Sequence, residues 1–320
     1  MKRLGFGLLV SVAVGAVALA QAPAGKDLLW AFPVAAAIVN KAPLPVPEGK
    51  QQMPGSANSY TQAQLDSTFT AVDWFPDQHA PMPKIVRDGT ANGGFACGTC
   101  HLANGRGHPE SGDLSGLTEA YILKSMAEFK SGVRNEPTRM TVIAKTTPDE
   151  DTKEAAAWFA TLKGGGDAWT KVVEAKTVPH TYIGPGRMRF IDPDNKGVEP
   201  IGQRIITLPD DVLRVRARDP RIGFTAYVPP GSLARGKALV EGGGAGKTVQ
   251  CSICHGEGLK GLGNVPPIAG RHPIYVARQL YDVQTSARNG PDAQMMKRVV
   301  AKLSDADIVA VSAYVASLPR

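Results

Sequence analysis

The chain has 320 residues, 43% of them apolar, with 36 Lys and Arg against 29 Asp and Glu for a formal net charge of +7. That length holds two ordinary domains with residues to spare, and the apolar fraction is too low for a polytopic membrane protein. An excess this small is poor ground for a nucleic-acid partner.

The N-terminus begins with Lys2 and Arg3, continues as an apolar run from Leu4 to Leu19, and ends in the small residues Ala18 to Ala20. This is the pattern of a secretory signal peptide, residues 1–20. An uncleaved anchor is the competing reading, and the run is barely long enough for it. A second apolar stretch, Leu28 to Val39, contains Pro33 and is too short to span a bilayer. Residues 21–80 are Pro-rich and read as an irregular extension packed against the first domain.

All four cysteines lie in two copies of Cys-x-x-Cys-His, at Cys97, Cys100 and His101 and again at Cys251, Cys254 and His255, 154 residues later. The repeat extends beyond the motifs. At the same displacement Tyr121 falls on Tyr275, Ile122, Met126 and Phe129 fall on Val276, Leu280 and Val283, and Arg134-Asn135 falls on Arg288-Asn289. The apolar set has i, i+4, i+7 spacing, so one helix is written twice. Further on, AWFATL (157–162) meets AYVASL (313–318). Thr147-Pro-Asp-Glu150 reads as the N-cap and capping box of a closing helix, with Ser304-Asp-Ala-Asp307 doing the same in the second copy. The units span residues 81–163 and 231–320. Between them, 164–230 has a different texture. Leu213, Val215 and Ala217 alternate with three arginines, and Phe224, Ala226 and Val228 alternate around Thr225 and Tyr227, which predicts short strands with a solvated arginine face. GGGAGKT (242–248) lacks the first glycine of a phosphate-binding loop and runs straight into the second motif, so it reads as a plain loop.

Three chemistries use Cys-x-x-Cys-His spacing. A redox dithiol wants one motif in a βαβ context, which is absent. A zinc site wants its second ligand pair tens of residues away, not in another domain. Covalent c-type haem attachment fits: two thiols add to the haem vinyl groups and the adjacent histidine supplies the proximal ligand. Two haems would also provide the apolar bulk that units this small cannot build from side chains alone. Their propionates would offset the +5 that remains after removal of Lys2 and Arg3.

A low-spin carrier needs a sixth ligand. Met140 lies seven residues before Thr147, and Met296 seven before Leu303, the equivalent position, so these two are the expected ligands in preference to the neighbouring Met295. Both are expected in loops. Met126 and Met188 read as core filler. His108 follows the first motif too closely to cross to the far face of its own haem; His79, His180 and His272 read as surface or structural, with His180 in the linker the alternative that could reach a haem. The proximal histidine's other nitrogen needs a carbonyl, expected near Pro267 in the second unit and Asp113 in the first. A carboxylate beside the first iron would give that haem the lower potential.

Together, CGTCH, FKSGVRN, Met140 and AWFATL, with CSICHG, IAGRHPIYVARQL, Met296 and LSDADIVAVSAYVASL, resemble tandem di-haem cytochromes c of bacteria built from two class I domains. The resemblance covers roughly half the chain. It implies a mainly α fold of two class I cytochrome c domains with covalent haem, here joined by a strand-containing linker. It further implies a periplasmic location, two covalent haem c groups and electron transfer between redox-partner proteins. No catalysis by the chain itself is implied, although it could serve as the accepting subunit of a dehydrogenase. The alternative is a di-haem enzyme such as a peroxidase. That chemistry requires one haem able to open a coordination site, and hence one half without a matched methionine.

Overall fold

The computed structural model describes residues 28–33, 37–39, 41, 47–135, 139–164 and 169–320. The signal segment 1–20 lies outside the described residues. The chain opens with a hairpin of β1 (Lys50–Gln52) and β2 (Ser59–Thr61), then α1 (Gln62–Asp66) and α2 (Lys84–Arg87). The first motif forms the one-turn helix α3 (Gly98–His101), and after it come α4 (Glu119–Ser131), α5 (Met140–Thr146) and α6 (Asp149–Thr161). The Thr118 hydroxyl caps α4 by accepting from the Tyr121 amide, and Gly132, at φ 81°, closes it in a left-handed turn that favours glycine. Ile85, Ile122, Ala156, Trp158, Phe159 and Leu162 form the core of this unit.

The middle segment contributes β3 (Thr170–Glu174), β4 (Thr177–Pro179), β5 (Thr181–Ile183), β6 (Arg189–Ile191), β7 (Val198–Pro200), β8 (Ile206–Pro209), α7 (Val212–Arg216) and β9 (Phe224–Val228). β9 is central in a mixed three-stranded sheet, parallel to β3 and antiparallel to β8. The second unit has α8 (Ser232–Gly242), α9 (Ser252–His255), α10 (Pro273–Gln284), α11 (Pro291–Val300) and α12 (Asp305–Ser317). α8 crosses α12 closely enough that a Cβ on Gly236 would lie 2.1 Å from the Ala310 carbonyl oxygen, so only glycine fits there.

Several expectations hold and several need correction. The repeated helix is present in both units, and β9 is a strand. Residues 213–216, however, are helical: Asp211 accepts from the Arg214 amide at 3.0 Å, capping α7. The arginines there are not all solvated, because Arg218 reaches inward to the Leu65 and Thr99 carbonyls at 2.7 and 2.5 Å. Met140 and Met296 are helical, at the start of α5 and within α11, the latter opened by Pro291 at its first position. The Thr147 hydroxyl donates back to the Ile143 carbonyl at 2.8 Å instead of capping α6, which begins without a side-chain cap. The extension contacts both units, since Leu28, Trp30, Ala31 and Phe32 sit in the core of the second, with Trp30 edge-on to Tyr281.

The second closing helix does carry its capping box, and it is elaborated. The Asp307 side chain, 1% exposed, accepts from Ser304 and pairs with Arg235 at 2.6 Å and Lys247 at 2.9 Å. Burial alone would raise its pKa, but the bonds from Ser304, Lys247 and Arg235 more than offset this and hold the carboxyl well below the usual carboxylate range. Asp307→Asn should therefore destabilise the protein by about 2 kcal/mol at pH 7, toward the low end for buried pairs because both cations are half-exposed. The native carboxylate's advantage should be complete above about pH 5, shrink measurably between about pH 4 and pH 3, and vanish only below its depressed folded value. Urea unfolding of both proteins between pH 3 and 7 checks this.

Candidate haem sites

The two motifs fold alike. Cys97 and Cys251 sit at the head of the one-turn helices α3 and α9, with Cys100 and His101, or Cys254 and His255, one turn on. None of the four cysteines forms a disulfide, which leaves all four sulfurs for thioether bonds to haem. Before haem is attached, burial pushes the Cys97 thiol up to about 12 and the Cys251 thiol up to about 11, so both would be protonated thiols at neutral pH.

The histidines are fixed by the same device. His101 Nδ1 lies 2.7 Å from the Gly112 carbonyl oxygen, and His255 Nδ1 lies 2.9 Å from that of Pro266. The acceptors are again 154 residues apart, one residue earlier in each unit than expected. A carbonyl can only accept, so Nδ1 carries the proton and Nε2 presents its lone pair. Burial lowers the pKa of both imidazoles, which keeps them neutral. Phe159 packs edge-on to His101 at 5.8 Å. A neutral Nε2 beside a pair of thiols, once in each unit, is the donor set of c-type haem attachment, and these residues fit the group. The methionines also differ in setting. Met296 is half-buried against the main core, Met295 is 69% exposed, and Met140 is half-buried.

The units meet across a local two-fold pattern. The Asn135 amide donates to Ala287 at 2.7 Å and the Asn289 amide to Val133 at 2.9 Å, residues paired by the repeat. Gln279 Oε1 accepts from both Arg134 and Arg288 at 2.7 and 3.0 Å, and Arg288 also donates to the Tyr121 hydroxyl at 3.0 Å. Arg134, Arg288 and Tyr121 stand out in the repeat alignment, but nothing local in the sequence marks them as contact residues.

A second contact breaks the symmetry. Asp113 is buried and pairs with Arg271 at 2.8 Å and Arg320 at 2.6 Å, both nearly inaccessible. Arg271 also donates to the Asp113, Ser115 and Pro267 carbonyls. It thus ties together the loops that carry the two histidine acceptors. The expectation that Asp113 lowers the first haem's potential loses its basis here, because two guanidiniums meet its charge. His272 is structural as expected, buried with Nδ1 2.6 Å from the Thr170 hydroxyl, and His79 pairs with Asp73 at 3.2 Å. Among the described residues, no helix is long and apolar enough to cross a membrane.

Two helical units, each presenting a proximal histidine and a thiol pair for one haem, define a di-haem c-type cytochrome built from class I cytochrome c domains. The chain carries two covalently bound haem c groups and is an electron-transfer protein. A family model for cytochrome c oxidase, cbb3-type, subunit III matches residues 233–315. The chain is 27% identical to cytochrome c4 of Pseudomonas aeruginosa over 69% of this chain and 83% of that protein. It is 28% identical to cytochrome c4 of Azotobacter vinelandii, over 69% and 84%. It is also similar to the thiosulfate dehydrogenase electron acceptor of Stutzerimonas stutzeri, 25% identical over 75% of this chain and 88% of that one.

Proposed function

We propose that this chain is a periplasmic carrier that passes single electrons between redox proteins without binding a substrate of its own. Residues 81–163 and 231–320 are its haem domains, 21–80 an extension and 164–230 a linker. Cys97, Cys100, His101 and Met140 would hold one haem, and Cys251, Cys254, His255 and Met296 the other. When bound, the iron supplies one-electron exchange between its ferric and ferrous states. The remaining roles belong to the chain. His101 and His255 are held in one tautomer and orientation by the Gly112 and Pro266 carbonyls, and the apolar cores exclude water around them.

The observation that carries this reading is the pair of half-buried methionines at matching places in the repeat. A thioether ligand to each iron would leave no position open for peroxide, which disfavours the enzyme alternative. The likeness to a thiosulfate dehydrogenase electron acceptor supports a role as the accepting partner of a dehydrogenase. The far-red methionine-to-iron charge-transfer band of the oxidised holoprotein tests the reading: two equivalents per chain are expected. One equivalent with a high-spin signal from the second haem would make the protein an enzyme instead.

A further inference from the structure

The repeat makes the two attachment motifs comparable residue by residue, and their surroundings differ. In the first unit, Gly98 and Thr99 between the cysteines are buried, Thr99 at 3% exposure. In the second, the equivalent Ser252 is half-buried and Ile253 is 66% exposed.

The cover over the first motif is the chain's own. The Ala96 amide donates to the Thr68 carbonyl at 3.1 Å and that of Cys97 to Ile85 at 3.2 Å. Ala71 and Val86 press on Gly98 so tightly that a Cβ there would lie 2.8 Å from the Ala71 methyl. From the other side, Arg218 bridges the Thr99 and Leu65 carbonyls, and Asn104 donates to the Pro220 carbonyl at 2.8 Å. Leu102 is buried with Trp169, Val215 and Phe224. The second unit repeats one of these contacts, the Cys251 amide donating to the Val240 carbonyl at 2.9 Å, but the cover from Thr68, Ala71, Trp169, Val215, Arg218, Pro220 and Phe224 comes from outside the repeat and is supplied to the first unit alone.

Instead, the second unit leaves Val249, Ile253, Leu262 and Met295 exposed in and around the motif, its adjoining loop and α11. Its charge also differs. Residues 231–320 contain eleven Lys and Arg against six Asp and Glu, whereas residues 81–163 contain ten of each.

We propose that redox proteins exchange electrons with this chain through the second unit alone, and that the surface around Ile253 docks a partner that is acidic with an apolar centre. The extension and linker have turned the first unit into an internal site filled through the second. The inference rests on the electron-carrier reading above. Each docking event moves one electron: the partner loses it, the chain gains it, and no bond forms or breaks. A basic unit steers an acidic partner and speeds encounter, while apolar side chains seat it transiently.

The test uses the full holoprotein and reduced flavodoxin, an acidic flavoprotein, as the probe donor in stopped flow at low ionic strength. Ile253→Asp should slow the second-order reduction of both haems at least ten-fold, and Ile253→Lys should not. Phe69→Asp carries the same charge change to the first unit's cover, where Phe69 is 53% exposed and stacks on Phe95; it should leave the rate unchanged. A separate readout does not depend on electron transfer. With oxidised flavodoxin bound, Lys260 should be protected from acetylation and Lys145 and Lys153 should not, as scored by mass spectrometry. An equal loss in Phe69→Asp, or a phase of haem reduction untouched by Ile253→Asp, would overturn the proposal. Failure of the carrier reading would look different, as a missing methionine band in the unmodified protein.

Discussion

Asp113→Asn should split the thermal unfolding of the holoprotein into two separated transitions and cost about 3–5 kcal/mol in the stability of the joined units, as breaking one partner of a buried pair does. Among the described residues, the carboxylate is the only acidic side chain that pairs with Arg271 and Arg320, and both guanidiniums are almost wholly buried. An amide leaves two uncompensated cations in a dry interface. The remaining contacts hold the units less firmly. They include a pair of backbone hydrogen bonds, the Gln279 fork, the bonds from Arg288 to Tyr121, Thr118 to Asn264 and Arg278 to Pro109, and the exposed Lys124–Asp292 pair, each worth on the order of 1 kcal/mol or less. The effect should also reach the iron sites. Arg271 binds the Asp113 and Pro267 backbone, one residue past the acceptors for His101 and His255. When its guanidinium moves, both imidazoles lose part of their support, and both potentials should shift in a redox titration. Asp113→Leu combined with both Arg271→Met and Arg320→Met should restore most of the stability, because apolar replacements then remove the charge along with both of its partners. If calorimetry of Asp113→Asn shows one unchanged transition, Asp113 does not join the units.

The contrast between what the repeat reveals and what it hides comes from the range of the interactions. The thiols, the proximal histidines and the stripe from Ile122 to Phe129 are legible because spacing along one helix or one turn determines them. Asp307 is legible for the same reason, since a capping box is a four-residue pattern. Residues 213–218 mislead because three apolar and three arginine residues alternate as a strand would, while a single aspartate at the head of the segment caps a helix. The Asp113–Arg271–Arg320 cluster cannot be read at all, because its members are 158 and 207 residues from Asp113 and have no partners in the other copy. The cover over the first motif is equally hidden. It depends on Ala71 and Arg218, residues of ordinary type in segments outside the repeat, and nothing in their neighbourhood signals where tertiary packing takes them.

Met296→His should abolish one of two far-red bands and lower the potential of one haem on the order of 0.2 V, part of the roughly 0.8 V range over which axial ligation sets haem potentials. The direction comes from ligand chemistry: a soft thioether stabilises the ferrous state, and an imidazole stabilises the ferric state. The choice of residue comes from packing. Met296 is half-buried and Met295 is 69% exposed on the same helix, so Met295→Leu should leave band and potential unchanged. Met140→His should act on the other haem alone, because Met140 starts a helix of the first unit. The two substitutions therefore assign each potential to its domain. They also decide whether the first unit, with its aspartate neutralised, still has the lower value. If Met295→Leu removes the band and Met296→His does not, the register linking Met140 to Met296 is wrong by one residue, and α11 must turn its exposed face toward the iron when haem is bound.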